Sequence, residues 1–322
     1  MPERALTVAV TGPTGDIGRA LLRALDSDPA VERVLGMARR EFDPASMGLT
    51  RTEYRQGDVL DRDAVKAFAE EADVLVHLAF IILGGREETR SVNLEGSRNV
   101  FEAARGVRRL VYTSSVAAYG FHADNPQPLT EDVPTRGTDA HYYSAQKAEL
   151  EETLRDALEG ADVETYVLRP CIVAGGDALA LIEAFPAVLR KSPVGPLLPN
   201  PGTPFQLVHT DDVALALAAA VRGEGTPGVY NLAGAGTITV AELARALGWH
   251  SLPVPKAGVA LTAGVVDLLP LMPPQASWLN AFRVPVVMDT ERARGELGWD
   301  PRYDTKAVLA DMVAHARDAG LL

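Results

Sequence analysis

The chain reads as a doubly wound α/β protein, a parallel sheet covered by helices on both faces, with a smaller C-terminal region added to it. Three observations predict this. Short apolar runs rich in Val and Leu alternate with longer amphipathic stretches, as strands buried on both faces and their covering helices do. The alternation begins at once, with LTVAV at residues 6–10. Three glycines then fall between the first apolar run and the first amphipathic stretch, where a tight strand-to-helix turn needs them.

In order, the predicted strands are LTVAV (6–10), RVLGMA (33–38), EYRQGDV (53–59), DVLVHLA (73–79), RLVYTS (109–114), ETYVLR (164–169) and GVYNLA (228–233). Between them, apolar residues recurring at helical spacing predict helices at Ile17–Leu25, Asp63–Glu71, Ser91–Ala104, Tyr142–Leu158 and Asp211–Arg222. The alternation breaks in a proline-rich stretch at 174–203 and again beyond 236. Residues 1–173 and 204–236 are therefore read as the doubly wound domain, and 174–203 with 237–322 as a cap that binds substrate.

At 322 residues the chain has ample core, and 47% hydrophobic with 23% charged residues is ordinary for a soluble globular protein. A net charge of −12, without a basic run, argues against nucleic acid or an anionic membrane as partner and leaves a small-molecule substrate. The single cysteine, Cys171, excludes an internal disulfide and a Cys-based zinc cluster, and no metal is expected. The N-terminal residues lack the apolar stretch of a signal peptide. AGVALTAGVVDLLPLMPP at 257–274 is interrupted by Asp267 and Pro270 and is short against the about 20 apolar residues a bilayer needs. It is read as a buried or lid helix, and the protein as cytoplasmic.

The glycines are Gly12, Gly15 and Gly18, in VAVTGPTGDIGRALLRAL. That spacing lets a backbone approach a pyrophosphate lying at a helix N-terminus, with Thr14, Asp16 and Ile17 in the same turn, and predicts a dinucleotide site. The second strand ends GMARR. A chain selecting NAD usually has an acidic residue here for the ribose 2′-hydroxyl. Arg39 and Arg40 could instead pair with a 2′-phosphate, which favours NADP and leaves NAD open. In the opposing reading both arginines are solvated, and Glu41 or Asp43 reaches the ribose. Farther on, Asp58 and Val59 are placed to meet the adenine, and Leu78, Ala79 and Phe80 to lie along the cofactor.

Tyr143 and Lys147 are four apart and share one helix face. A nearby ammonium favours the phenolate and would lower a phenol pKa that is ordinarily near 10. Tyr142 lacks such a partner, since Gln146 lies four residues on. Thr113, Ser114 and Ser115 bring hydroxyls to the end of the fifth strand, the sheet edge where doubly wound folds bind ligands. Each feature alone could be chance or a helix cap; their order along the chain argues otherwise.

Together, TGPTGDIG, HLA, VYTSS with the following YG, YSAQK, LRP and VHTDDVA resemble an extended short-chain dehydrogenase/reductase of the NAD-dependent epimerase/dehydratase group. The resemblance covers residues 5 to about 235 and continues weakly at LGWDP near the end. It implies a Rossmann domain. It also implies that Tyr143 is the catalytic acid/base, that Lys147 lowers its pKa and binds the nicotinamide ribose, and that Ser115 holds the reacting oxygen. Asn93 matches a family asparagine that supports the site, while Pro170, Ile172 and Val173 follow the arginine of LRP near the nicotinamide. Family members commonly dimerise through helices that would here be Ser91–Ala104 and Tyr142–Leu158, so a homodimer is expected.

Other candidates are read as structural. His209 with Asp211 and Asp212 forms a strand end and helix start, one of the two aspartates being the cap. Cys171 is a small packing residue and His77 a packed or hydrogen-bonded one, while His122 could touch substrate. Departures from the nucleotide-sugar pattern narrow the reaction. Ile172 stands where such members carry asparagine, and Phe205 where they carry a diphosphate-binding arginine. The stretches ALALIEAFPAVL (178–189) and VALTAGVVDLLPL (259–271) suggest an aliphatic pocket. The expected activity is an NADP(H)-dependent oxidoreductase of a small, largely hydrophobic ketone or aldehyde and its alcohol. The alternative is a nucleotide-sugar epimerase or dehydratase. A non-catalytic nucleotide sensor would tend to lose Tyr143 or Lys147, and both are present.

Overall fold

The computed structural model describes residues 5–82, 89–139, 141–183, 187–190, 196–254 and 283–322. The seven predicted strands form one sheet: β1 (Leu6–Thr11), β2 (Val31–Ala38), β3 (Thr52–Gln56), β4 (Val74–His77), β5 (Arg109–Thr113), β6 (Glu164–Pro170) and β10 (Gly228–Leu232). Their order is β10-β6-β5-β4-β1-β2-β3, and every pair is parallel. The order reverses between β1 and β4, which opens a crevice at the carboxyl edge of the sheet. Among the described residues, two small parallel pairs complete the strands: β7 (Ile172–Ala174) with β9 (Leu207–His209), and β8 (Leu197–Asn200) with β11 (His250–Pro253).

The pleat sorts side chains into two cores. Val8, Val10, Val34, Val74 and Val76 face helices α1 (Asp16–Asp26) and α5 (Thr210–Arg222). Their neighbours Ala9, Leu35, Leu75 and Leu110 face α2 (Arg62–Ala69), α3 (Ser97–Ala103) and α4 (Tyr142–Ala157). Each fully buried Leu or Phe contributes about 1.5–3 kcal/mol. A third core gathers Leu198, Phe205, Leu207, Trp249 and Met312 around α6 (Val240–Leu247) and α8 (Thr305–Asp318). A short helix, α7 (Glu291–Glu296), lies against β10.

Three local features differ from the sequence expectation. β3 stops at Gln56, because Asp58 turns the chain by accepting from the Leu60 amide at 3.0 Å. The predicted helix at 91–104 begins with a wider π turn, Ser91–Gly96, before α3. The side chain capping α5 belongs to His209, whose Nδ1 accepts from the Asp211 amide at 3.1 Å, and not to Asp211 or Asp212. Asp212 is fully buried and accepts from the Arg302 and Tyr303 amides at 2.9 and 3.1 Å, while Trp299 Nε1 donates to its carbonyl at 2.7 Å. Asp212 thus ties the LGWDP segment, through its carbonyl, and the two residues after it, through its carboxylate, to α5. The stretch 257–274 lies outside the described residues, as does 259–271; among the described ones no helix is long and apolar enough to cross a membrane. Ala178, Leu179 and Ile182 are buried, the last two within the C-terminal core.

Candidate active site

The glycine turn lies where the sheet order reverses. Gly12 has φ +74°, and a Cβ there would lie 2.7 Å from the Ala79 nitrogen, so the ends of β1 and β4 touch through backbone alone. A Cβ at Gly18 would lie 2.4 Å from the Gly12 carbonyl oxygen, which brings α1 hard against the turn. Gly15 differs: a Cβ there would meet only the Gly12 oxygen, at 3.7 Å. It precedes α1, whose first turn no side chain caps. Open space in front of a helix N-terminus is the cradle a pyrophosphate would fill. Thr14, Asp16 and Ile17 are half-buried in the same turn, with Asp16 paired to Arg19 at 3.0 Å.

At the end of β2 the backbone is pinned while the guanidinium groups stay free. Tyr54 OH donates to the Ala38 and Arg40 carbonyls, and Gln56 Nε2 to the Arg39 carbonyl. Arg39 and Arg40 are exposed, and no described side chain pairs with either. Asp43 caps a short turn by accepting from the Ala45 amide at 3.0 Å, which leaves it turned to its own loop. Asp58 and Val59 lie on the loop after β3, where Asn99 Nδ2 donates to the Val59 carbonyl at 3.0 Å. Leu78, Ala79 and Phe80 follow β4, each half-buried.

Tyr143 lies in the first turn of α4, half-buried, with Ser115 hydrogen-bonded to it. Burial pushes the phenol up to about 12, against the lowering effect of Ser115. Lys147 is buried, its Nζ donating to the Thr113 carbonyl at 2.9 Å and the Tyr112 hydroxyl at 3.5 Å. Burial pushes the ammonium down to about 7, with Glu151 opposing. The expectation of a phenol lowered by its lysine is therefore corrected: desolvation dominates both groups here.

The remaining predicted residues sort by what they touch. Asn93 is fully buried; it accepts from the Ile81 amide at 2.8 Å and donates to the Ile81 carbonyl and to Gln146 Oε1. It braces the loop after β4 against α4 and positions the site from behind. Ser114 Oγ donates to Glu151 at 2.6 Å. Glu151 also pairs with Arg169, which lies 4.6 Å over the Tyr119 ring, a buried network the motif reading missed. Its signal is Glu151 four residues after Lys147. Pro170 ends β6 and is buried; Ile172 and Val173 open β7, with Ile172 packed against the C-terminal core. Phe205 is 3% exposed in that core. Cys171 is buried, its thiol pushed up by desolvation. His77 bonds Thr11 and Ser97 and is held neutral by burial, its pKa down to about 3. His122 Nε2 engages the Gly137 carbonyl at 2.5 Å.

A parallel sheet with three glycines at its switch point, and Ser115, Tyr143 and Lys147 gathered near its carboxyl edge, is the arrangement expected of a dinucleotide-dependent enzyme of the short-chain dehydrogenase class. The chain belongs to the NAD-dependent epimerase/dehydratase family, whose model matches residues 8–233. It is 30% identical to sterol demethylase protein B of Methylococcus capsulatus, covering 98% of this chain and 100% of that one. To the UDP-glucose 4-epimerase of Azospirillum brasilense it is 29% identical, over 92% and 88% of the two chains. A solved short-chain dehydrogenase/reductase superfamily protein from Agrobacterium tumefaciens with bound NAD superposes with a TM-score of 0.71 at 22% identity, covering 98% of each chain. The resemblance to an extended short-chain dehydrogenase/reductase therefore holds, and the protein is an NAD-dependent enzyme of the oxidoreductase type.

Proposed function

We propose that the protein is an NADP(H)-using reductase or dehydrogenase that interconverts a largely hydrophobic ketone or aldehyde and its alcohol. Bound nicotinamide supplies or accepts the hydride; the chain handles the proton. Tyr143 donates a proton to the carbonyl oxygen in reduction, and a phenol held near 12 keeps that proton at neutral pH. Ser115 holds the same oxygen. The observation that carries the substrate class is Phe205, buried where a diphosphate-binding arginine would stand, with Ile172 packed on the same core. The wall around Tyr143 is aromatic: Phe80 meets it edge-on at 5.4 Å, and His141 packs on it and on Phe121. A relative named for sterol demethylation agrees with an apolar substrate.

The NADP preference rests on the free guanidinium groups of Arg39 and Arg40. The reading includes a nucleotide domain of residues 1–173 and 204–236, a cap of 174–203 and 237–322, a cytoplasmic location, and a homodimer paired through the helices at 91–104 and 142–158. The second reading, a nucleotide-sugar epimerase or dehydratase, is favoured by the 29% identity to a UDP-glucose 4-epimerase. One thermal-shift panel separates them. NADPH should raise the melting temperature more than NADH at equal concentration, and UDP and dTDP should leave it unchanged. Protection by UDP or dTDP would restore the epimerase reading; stronger protection by NADH would overturn the NADP preference.

A further inference from the structure

We propose that the Phe80 ring is a positioning residue that holds the Lys147 side chain in its charged form beside the Tyr143 phenol. An ammonium has three N–H groups to satisfy once it leaves water. Lys147 is only 3% exposed, and two oxygens meet it, the Thr113 carbonyl at 2.9 Å and the Tyr112 hydroxyl at a long 3.5 Å. On another side Nζ lies 4.0 Å from the centroid of the Phe80 ring, the close approach of a cation to a π face. The Tyr112 and Tyr143 rings lie farther from Nζ, at 5.1 and 6.0 Å. The Phe80 ring also stands edge-on to Tyr143, 5.4 Å between centroids at 88°. One ring therefore contacts both members of the acid/base pair.

Its place is fixed from both sides. Ala79 is wedged against Gly12, and both backbone groups of Ile81 bond to Asn93. Asn93 in turn donates to Gln146, the residue before Lys147 on α4. Phe80 is thus clamped to the helix that carries its cation. The other groups facing Lys147 do not replace the ring. Glu151, one turn along α4, shares its charge with Arg169 and Ser114. Tyr112 on β5 and Tyr143 keep their protons, and His77 on β4 is neutral at neutral pH. Burial, opposed in part by Glu151, brings Lys147 to about 7, so a modest contribution from the ring changes how much of it is charged.

Leucine at position 80 keeps the bulk and the dry surroundings but has no π face. In the cofactor-free protein, Phe80→Leu should lower the Lys147 titration midpoint by about one unit, while Phe80→Trp should keep it within a few tenths. Side-chain NMR of labelled lysine reads this directly; the chain has only five lysines, and Lys147→Arg identifies the signal. If Phe80→Leu does not fold, Phe80→Met makes the same comparison. A midpoint unchanged or raised in the folded Leu or Met variant would overturn the proposal. Its consequence for turnover rests on the acid/base reading of Tyr143: the alkaline limb of kcat/KM should move down by the same amount in Phe80→Leu and be restored in Phe80→Trp. Because the titration needs neither cofactor nor substrate, it can fail while that reading stands.

Discussion

The glycine turn and the Tyr143–Lys147 pair, both near the carboxyl edge of the sheet, are held in place by different means. Gly12 and Gly18 are held by backbone contacts that any side chain would break, so the cradle exists before a cofactor arrives. Tyr143 and Lys147 are held by side chains, and burial shifts both: the phenol is driven up and the ammonium down. Steric pre-organisation is complete without ligand, whereas electrostatic tuning depends on every neighbour within a few ångströms. The difference teaches which substitutions should unfold the protein and which should only silence it.

The largest effect tests the silent side. Tyr143→Phe keeps the ring packed on Phe80 and removes only the hydroxyl. Turnover of any carbonyl compound that consumes NADPH should fall about 10³-fold, with cofactor affinity within a few-fold. Steady-state kinetics with a calorimetric titration checks both, and substantial retained turnover would remove the acid/base role. The glycine side should answer in the opposite currency. Gly12→Ala forces a side chain into φ +74° and against the Ala79 nitrogen, and should lower stability by about 3 kcal/mol in urea unfolding. Gly15→Ala should leave unfolding unchanged and weaken the cofactor instead, because its Cβ enters open space. Equal destabilisation by the two alanines would break the comparison.

The same division explains what could be read from the chain. Strands such as LTVAV and DVLVHLA were legible because burial on both faces leaves a near-continuous apolar run, and the glycine spacing because each position has a local steric reason. Tyr143 and Lys147 were legible because one helix turn joins them. What escaped depends on residues far apart in sequence. Phe80 lies over Lys147 from 67 positions away, and Ser114 finds Glu151 from 37. His209 took the cap from the aspartates because its ring also stacks on Tyr303 at 4.0 Å and bonds Asp311 at 3.1 Å. The direction of the Tyr143 shift escaped for a related reason. Spacing puts a cation near the phenol but carries no information on how dry that place is.

The smallest of these effects probes that dryness through a neighbour. His141 caps α4 by accepting from the Ser144 amide and stacks on Tyr142; it is 4% exposed, and burial pushes its pKa down to about 4. A folded pKa below the unfolded 6.5 means that the unfolded chain binds more protons between those two values. Stability from this group is therefore full above about pH 6.5 and is lost as pH falls toward 4. His141→Asn retains a good helix cap and cannot titrate. Between pH 8 and pH 5 the parent should lose about 2 kcal/mol more than the variant in urea unfolding. His77, shifted in the same direction, is common to both proteins and cancels. Parallel losses would mean that His141 is hydrated in solution. The wall beside Tyr143 would then be wetter than its packing implies, and the desolvation that raises the phenol would be weaker with it.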